Sequence, residues 1–292
     1  MGSRIAEISC IADVKAILGE GPVWVVRESA LYWVDINGQA IFRLDGHGSV
    51  HRWDTPLRIG SLAPRATGGL VAGTDRGLAF IHLDTGRFDL FANPEENLPG
   101  NRFNDGKVDR LGRFWAGTMD NRERAASGTL YRLDPGLHVT TVDEGYRVTN
   151  GPAFSPDGTV MYHNDSARQV TYAFDLDRSG NVANRRELIR FSDGDGYPDG
   201  MTVDAEGCLW VAFWDGWCVR RFSPSGDRLA EVRVPVQRPT SCAFGGEGLR
   251  TLYITSARRD LQGTDLANQP LAGGLFAADV GVAGIADVPF AG

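Results

Sequence analysis

The chain has 292 residues, 42% of them hydrophobic, enough for a large core built either as two ordinary domains or as one big all-β domain. A formal charge of −7, with Lys and Arg scattered and no basic stripe, argues against nucleic acid and anionic membranes as partners and leaves a small neutral or cationic molecule as the expected ligand. Four cysteines, Cys10, Cys208, Cys218 and Cys242, lack CxxC spacing and are too sparse for a disulfide scaffold, so they read as reduced thiols. No stretch approaches the roughly 18 apolar residues of a spanning helix, and "MGSRIAEISCIADVKA" lacks an apolar signal core, so a cytoplasmic location is expected.

In chain order, the segment from Ile5 to Lys15 reads as a first strand. One phrase then recurs: small residues, a short apolar run, a Gly-containing turn and an apolar-aromatic strand. Its copies are "EGPVWVVRESALYWVDI" from Glu20, a weaker "IGSLAPRATGGLVAGT" from Ile59, "NDGKVDRLGRFWAGTM" from Asn104, "NGPAFSPDGTVMYHND" from Asn150, "PDGMTVDAEGCLWVAF" from Pro198 and "TSCAFGGEGLRTLYIT" from Thr240. Successive starts fall 39, 45, 46, 48 and 42 residues apart, with strand-like segments such as "AIFRLD", "GLAFIHLD", "GTLYRLD" and "VTYAFDL" between them. Each unit therefore holds four short strands. Thirty-seven glycines and almost no 3.6-residue periodicity leave little helix.

Six such units predict an all-β chain folded as a six-bladed β-propeller, residues 1–292 forming one domain, with a β-sandwich pair or a β-helix as the structural alternatives. Ring closure is expected from the N-terminal strand pairing with "GGLFAADV" at 273–280.

The first strand of every propeller blade lines the channel and all run the same way, so their starts converge on one mouth. Here those starts carry Glu20, Arg102 with Asn104 and Asp105, Asn150, and Asp199. Carboxylates gathered in a channel repel one another and need a counter-cation, which a bound divalent metal supplies. Oxygen-only ligation suits Ca²⁺, Mg²⁺ or Mn²⁺, and carboxylates with water also hold Zn²⁺ or Fe²⁺. Glycines 21, 106, 151 and 200 beside these residues allow close backbone approach and unusual φ. Asp or Asn before Gly is also an ordinary turn former, and Asp105 reads equally as a turn residue or a metal contact.

At these residues the chain resembles the family of senescence marker protein (regucalcin), gluconolactonase and luciferin-regenerating enzyme. The resemblance runs through "GEGPVW" at 19–24, "NRFNDGKVDRLGRFWAGTM" at 101–119, "TNGPAFSPDG" at 149–158 and "YPDGMTVDAEGCLW" at 197–210. It implies a six-bladed propeller in which Glu20, Asn150 and Asp199 ligate one divalent cation, Arg102 and Asn104 hold the substrate, and Asp199 also acts as general base. After "GTM" the animal members carry a substrate-contacting glutamate where this chain reads Asp120-Asn121-Arg122-Glu123. The chain looks closer to bacterial sugar lactonases, which implies hydrolysis of an aldonolactone such as xylono-, arabinono-, galactono- or gluconolactone.

Two rival functions accompany this reading: a calcium-binding protein without catalysis, and an aryl-ester or phosphotriester-type hydrolase on the same scaffold. Hydrophobic pocket walls would favour the second rival, polar walls the sugar. Trp214 and Trp217 in "FWDGWC" suit pocket or core equally, whereas Trp24, Trp33, Trp115 and Trp210 fit blade cores. Arg147 and Asp165 stand near blade ends with nothing to promote them. "GNRFNDGKV" fails as a phosphate loop, and no HExxH or GxSxG is present. No interface stripe is visible, so a monomer is expected.

Overall fold

In a computed structural model that describes residues 7–292, twenty-four strands form six antiparallel four-stranded sheets arranged as the blades of a six-bladed β-propeller. The expected scarcity of helix holds among the described residues: three single 3₁₀ turns and one five-residue α-helix, Thr264–Asn268, are present. The innermost strands are Gly19–Val25, Ile59–Pro64, Asn101–Val108, Thr149–Phe154, Tyr197–Val203 and Pro239–Gly245. Each packs against the next around the ring, and the first contacts the last. Closure is completed by Ser9–Ala12, which pairs antiparallel with Leu275–Asp279 as the outermost strand of the last blade. Of the expected closing segment, Ile5 and Ala6 lie outside the described residues.

The first three strands of a blade are buried on both faces by the neighbouring blades, so they read as near-continuous apolar runs such as "ALYWVD" at Ala30–Asp35. The fourth strand meets solvent and becomes polar, as in Val182–Arg190. Trp33, Trp115 and Trp210 lie fully buried in the blades.

Two blades share a carboxylate clasp that the repeat phrase encodes. In "VDRLGRFW" the buried Asp109 accepts from the N–H groups of Leu111 and Arg113, from Arg113 Nε at 2.5 Å and from Trp115 Nε1 at 2.8 Å. In "VDAEGCLW" Asp204 accepts from the N–H groups of Glu206 and Cys208, from Arg221 Nε at 2.8 Å and from Trp210 Nε1 at 2.8 Å. One side chain thus closes the hairpin turn and satisfies the buried indole N–H of each blade.

Every innermost strand also slips register against its neighbour at one place. The slips fall between Glu20 and Val23, Ile59 and Ser61, Phe103 and Gly106, Asn150 and Ala153, Pro198 and Met201, and Pro239 and Ser241. Such a bulge bends the strand and re-aims a side chain. Gly21 and Gly151 sit at the bulges with φ of +52° and +80°, the left-handed region that favours glycine. Gly200 serves by closeness: a Cβ there would stand 2.1 Å from Ser241 Oγ of the next blade.

Removing a clasp carboxylate leaves buried donors unpaired. Asp204→Ala is expected to cost about 3 kcal/mol of stability, read as a lowered urea midpoint. A loss below about 1 kcal/mol, the scale of one ordinary hydrogen bond, would contradict the clasp.

Candidate active site

A cavity of about 420 Å³ opens where the innermost strands begin, and all five predicted site residues, Glu20, Arg102, Asn104, Asn150 and Asp199, line it. Its volume suits a small-molecule ligand. Each of the five side chains is buried. They come from four different blades, brought together only by ring closure.

A chain of hydrogen bonds sets their orientations. Arg102 Nη1 donates to Asn104 Oδ1 at 2.6 Å, and Asn104 Nδ2 donates to Asn150 Oδ1 at 3.0 Å and to the Thr149 carbonyl at 2.7 Å. Asn150 Nδ2 donates to Ser166 Oγ at 2.8 Å, and that hydroxyl donates to the Pro198 carbonyl at 2.6 Å. The next carbonyl, of Asp199, accepts from Asn164 Nδ2 at 2.7 Å. The network decides which end of each amide is oxygen, and it leaves Asn150 Oδ1 with one spare lone pair. Both N–H groups of Asn104 are committed, so this residue offers a substrate one acceptor lone pair and no donor. Arg102 keeps more capacity. Its Nε donates to Asn121 Oδ1 at 3.2 Å and its Nη1 also to the Phe103 carbonyl, which leaves Nη2 without a partner among the described residues.

The carboxylates carry the strongest electrostatic strain. Burial, with the negative charge of Asp105 next, holds the Glu20 carboxyl well above the usual carboxylate range. Asp199 is raised in the same way, first by burial and then by the charges of Glu20, Asp105 and Glu123. Asp105 points deeper into the channel, where it accepts from the N–H groups of Gly106 at 2.8 Å and Gly151 at 2.9 Å; burial still pushes it up to about 6. It tethers two innermost strands and stands apart from the large cavity.

These donors fit a hard divalent cation: two buried carboxylates that repel each other, and an amide oxygen held with a free lone pair. Among the described residues no group of three or more His, Cys, Asp or Glu side chains is placed to hold a metal.

The cavity includes residues that sequence reasoning left unassigned. Glu123, Arg147, Trp214, Arg238 and Arg259 also line it. Arg259 Nη1 pairs with Glu123 Oε1 at 3.1 Å, Arg147 Nε donates to the Glu123 carbonyl at 3.0 Å, and Arg238 pairs with Asp215 at 2.7 Å while lying over the Trp214 ring at 4.7 Å. Burial, then the like charge of Arg259, pushes the Arg102 guanidinium down to about 10. A signal was available for two of them: Arg147 and Arg238 stand two and one residues before innermost strands, close to the repeat position that carries Arg102. Trp217 lies outside the cavity and is exposed. Asp165 is structural, accepting from the N–H groups of Arg147 and Arg168.

Comparison with known proteins places the chain in a family. The region described as SMP-30/gluconolactonase/LRE-like matches residues 18–258. The chain is 40% identical over 287 residues to a 6-deoxy-6-sulfogluconolactonase of Pseudomonas putida, covering 98% of this chain and 99% of the relative. It is 38% identical to regucalcin of Danio rerio, again over 98% and 99% of the two chains. Among solved structures it is similar to a calcium-binding regucalcin from Agrobacterium tumefaciens, with a TM-score of 0.93, 28% identity and coverage of 98% and 97%. With both the sequence signature and the propeller mouth in agreement, the chain belongs to the SMP-30/gluconolactonase/LRE-like family.

Proposed function

We propose that this chain hydrolyses a sugar-derived lactone to the open aldonic acid, with one divalent cation held by Glu20, Asn150 and Asp199. Hydrolysis of a cyclic ester is the activity that its lactonase relatives carry in their names, and the chain is a hydrolase of that type. The observation that carries the finer reading is the polar wall of the cavity: Arg102, Asn104 and the residues around Glu123 offer hydrogen bonds to a polyol, where an aryl ester calls for an apolar surface.

Lactone hydrolysis adds water to the carbonyl and builds negative charge on its oxygen. A bound divalent cation supplies Lewis-acid polarisation of that carbonyl and keeps the neighbouring carboxyls ionised. Asp199, ionised in that setting, takes the proton from the attacking water and gives it to the ring oxygen as the acyl C–O bond breaks. Arg102 Nη2 donates to a hydroxyl of the sugar, and Asn104 Oδ1 accepts from a hydroxyl beside it. Asn104 chiefly positions the other two, because its amide joins Arg102 to Asn150. Trp214, half-buried against Arg238, gives the sugar ring an apolar face. Three buried free cysteines are in keeping with a reducing compartment such as the cytoplasm. Among the described residues no helix is long and apolar enough to cross a membrane.

A panel of pentono- and hexonolactones, the 6-deoxy-6-sulfo member included, tests this reading by acid release on chelator-stripped protein with single divalent ions restored. Turnover is expected to return with metal. Asp199→Asn, assayed at matched metal occupancy, is expected to lose about 10²- to 10⁴-fold in kcat, the usual worth of a general base. Tight metal binding with no turnover on any member would point instead to a calcium-handling role, and near-normal turnover of Asp199→Asn would remove it as the base.

A further inference from the structure

The cavity holds more positive charge than the lactonase chemistry uses. Four arginines, 102, 147, 238 and 259, line it. Within the protein, Arg259 is paired by Glu123 and Asp260, and Arg238 by Asp215. Arg102 and Arg147 differ. Among the described residues Arg102 donates only to the neutral oxygens of Phe103, Asn104 and Asn121, and the Arg147 side chain only to the Glu123 carbonyl. The remaining carboxylates of the mouth, Glu20 and Asp199, belong to the cation site. With a cation there, two guanidiniums face the cavity with no carboxylate in direct contact, Arg102 feeling the Glu123 charge only at a distance.

One loop gathers these groups. Asp120 accepts from the N–H groups of Arg122, Arg124 and Ala125, which curls the segment back over the mouth. Glu123, with φ of +58°, stands at its apex: its side chain holds Arg259 and its carbonyl holds Arg147. Asn121 of the same loop holds Arg102 Nε. Arg102 and Arg259 are close enough to repel, and an anion between them would relieve that repulsion. This is the segment at which the sequence departs from the animal pattern.

We propose that the Glu123 loop assembles Arg147 and Arg259, beside Arg102, into a subsite for an oxyanion carried on the lactone itself, away from the ester: a sulfonate, a phosphate ester or a carboxylate on the exocyclic carbon. The subsite rests on the lactonase reading for the rest of the ligand. Fixed guanidinium donors match the several oxygens of such a group, and no proton or bond changes hands there. Substrates are thereby sorted by charge before the ester reaches the channel.

The test compares gluconolactone with counterparts carrying sulfonate, phosphate or carboxylate at carbon 6, in the metal-loaded wild type and in Arg147→Gln and Arg259→Gln. At least one charged lactone is expected to exceed gluconolactone in kcat/KM by about ten- to a hundredfold, the worth of one charge-assisted contact. Each variant is expected to cut that preference about tenfold, mainly through KM, and added salt to erode it. The ranking of the three arms identifies the anion. A wild-type preference for neutral gluconolactone, or a preference unchanged in both variants, would overturn the subsite. Calorimetric binding of 6-deoxy-6-sulfogluconate against gluconate separates this inference from its parent: selective binding lost in the variants upholds the subsite even where no lactone is hydrolysed, and equal binding of the two acids overturns it. Arg147 is exposed, so its variant removes charge without opening the core.

Discussion

Two carboxylates, Glu20 and Asp199, are buried at the mouth of one channel, with a third, Asp105, below them. Left ionised and unpaired, such groups would oppose folding; left protonated, they could neither bind a cation nor take a proton. Asp105 is partly relieved by two backbone N–H groups. Glu20 receives one weak contact at 3.2 Å from its own neighbour Gly21. That unpaired charge is what motivates the proposed cation, and Asn150 is held beside it by Asn104 and Ser166.

The propeller carries that strain because its stability is made elsewhere. Tryptophans packed between blades and the Asp109 and Asp204 clasps hold each sheet together away from the channel. The innermost strands are then free to bulge, and the bulges turn Glu20, Asn150 and Asp199 into the channel. Gly21, Gly151 and Gly200 sit beside those three residues because a side chain at any of them would be strained or would strike the next blade. A carboxylate or amide followed by glycine at a repeated position therefore marks a channel-facing bulge, where a turn alone would leave the residue outside.

Much of this was legible in the sequence, since a repeat supplies its own alignment. Six copies of one phrase define the blades, and polar residues at equivalent starts nominate Glu20, Arg102, Asn104, Asn150 and Asp199, all of which line one cavity. The rest depends on geometry that no repeat encodes. Glu123 and Arg259 lie in loops whose length and course vary between blades. Arg238 stands two residues before Thr240 as Arg102 stands two before Asn104, whereas Arg147 stands three before Asn150 and falls one out of register. The commitment of both Asn104 N–H groups arises from contacts with residues 45 and 46 positions away. Trp214 and Trp217, three apart, face different ways because a tight turn separates them and Trp217 has φ of +59°.

Among the described residues none of the channel carboxylates has a salt-bridge partner, and thermal unfolding of chelator-stripped protein across pH tests directly whether a cation fills that role. A carboxyl whose folded pKa lies above its unfolded value holds its proton more tightly when folded, so it stabilises the fold as pH falls and penalises it above the folded pKa. With Asp105 at about 6 and Glu20 and Asp199 also raised, the metal-free protein is predicted to gain stability as pH drops from about 7 to about 5. A saturating divalent ion should raise the midpoint most at the upper end of that range, fade toward the lower end as protons compete, and do little for a Glu20→Gln/Asp199→Asn double variant. A midpoint indifferent to divalent ions at neutral pH, or a double variant that responds like the wild type, would contradict that role.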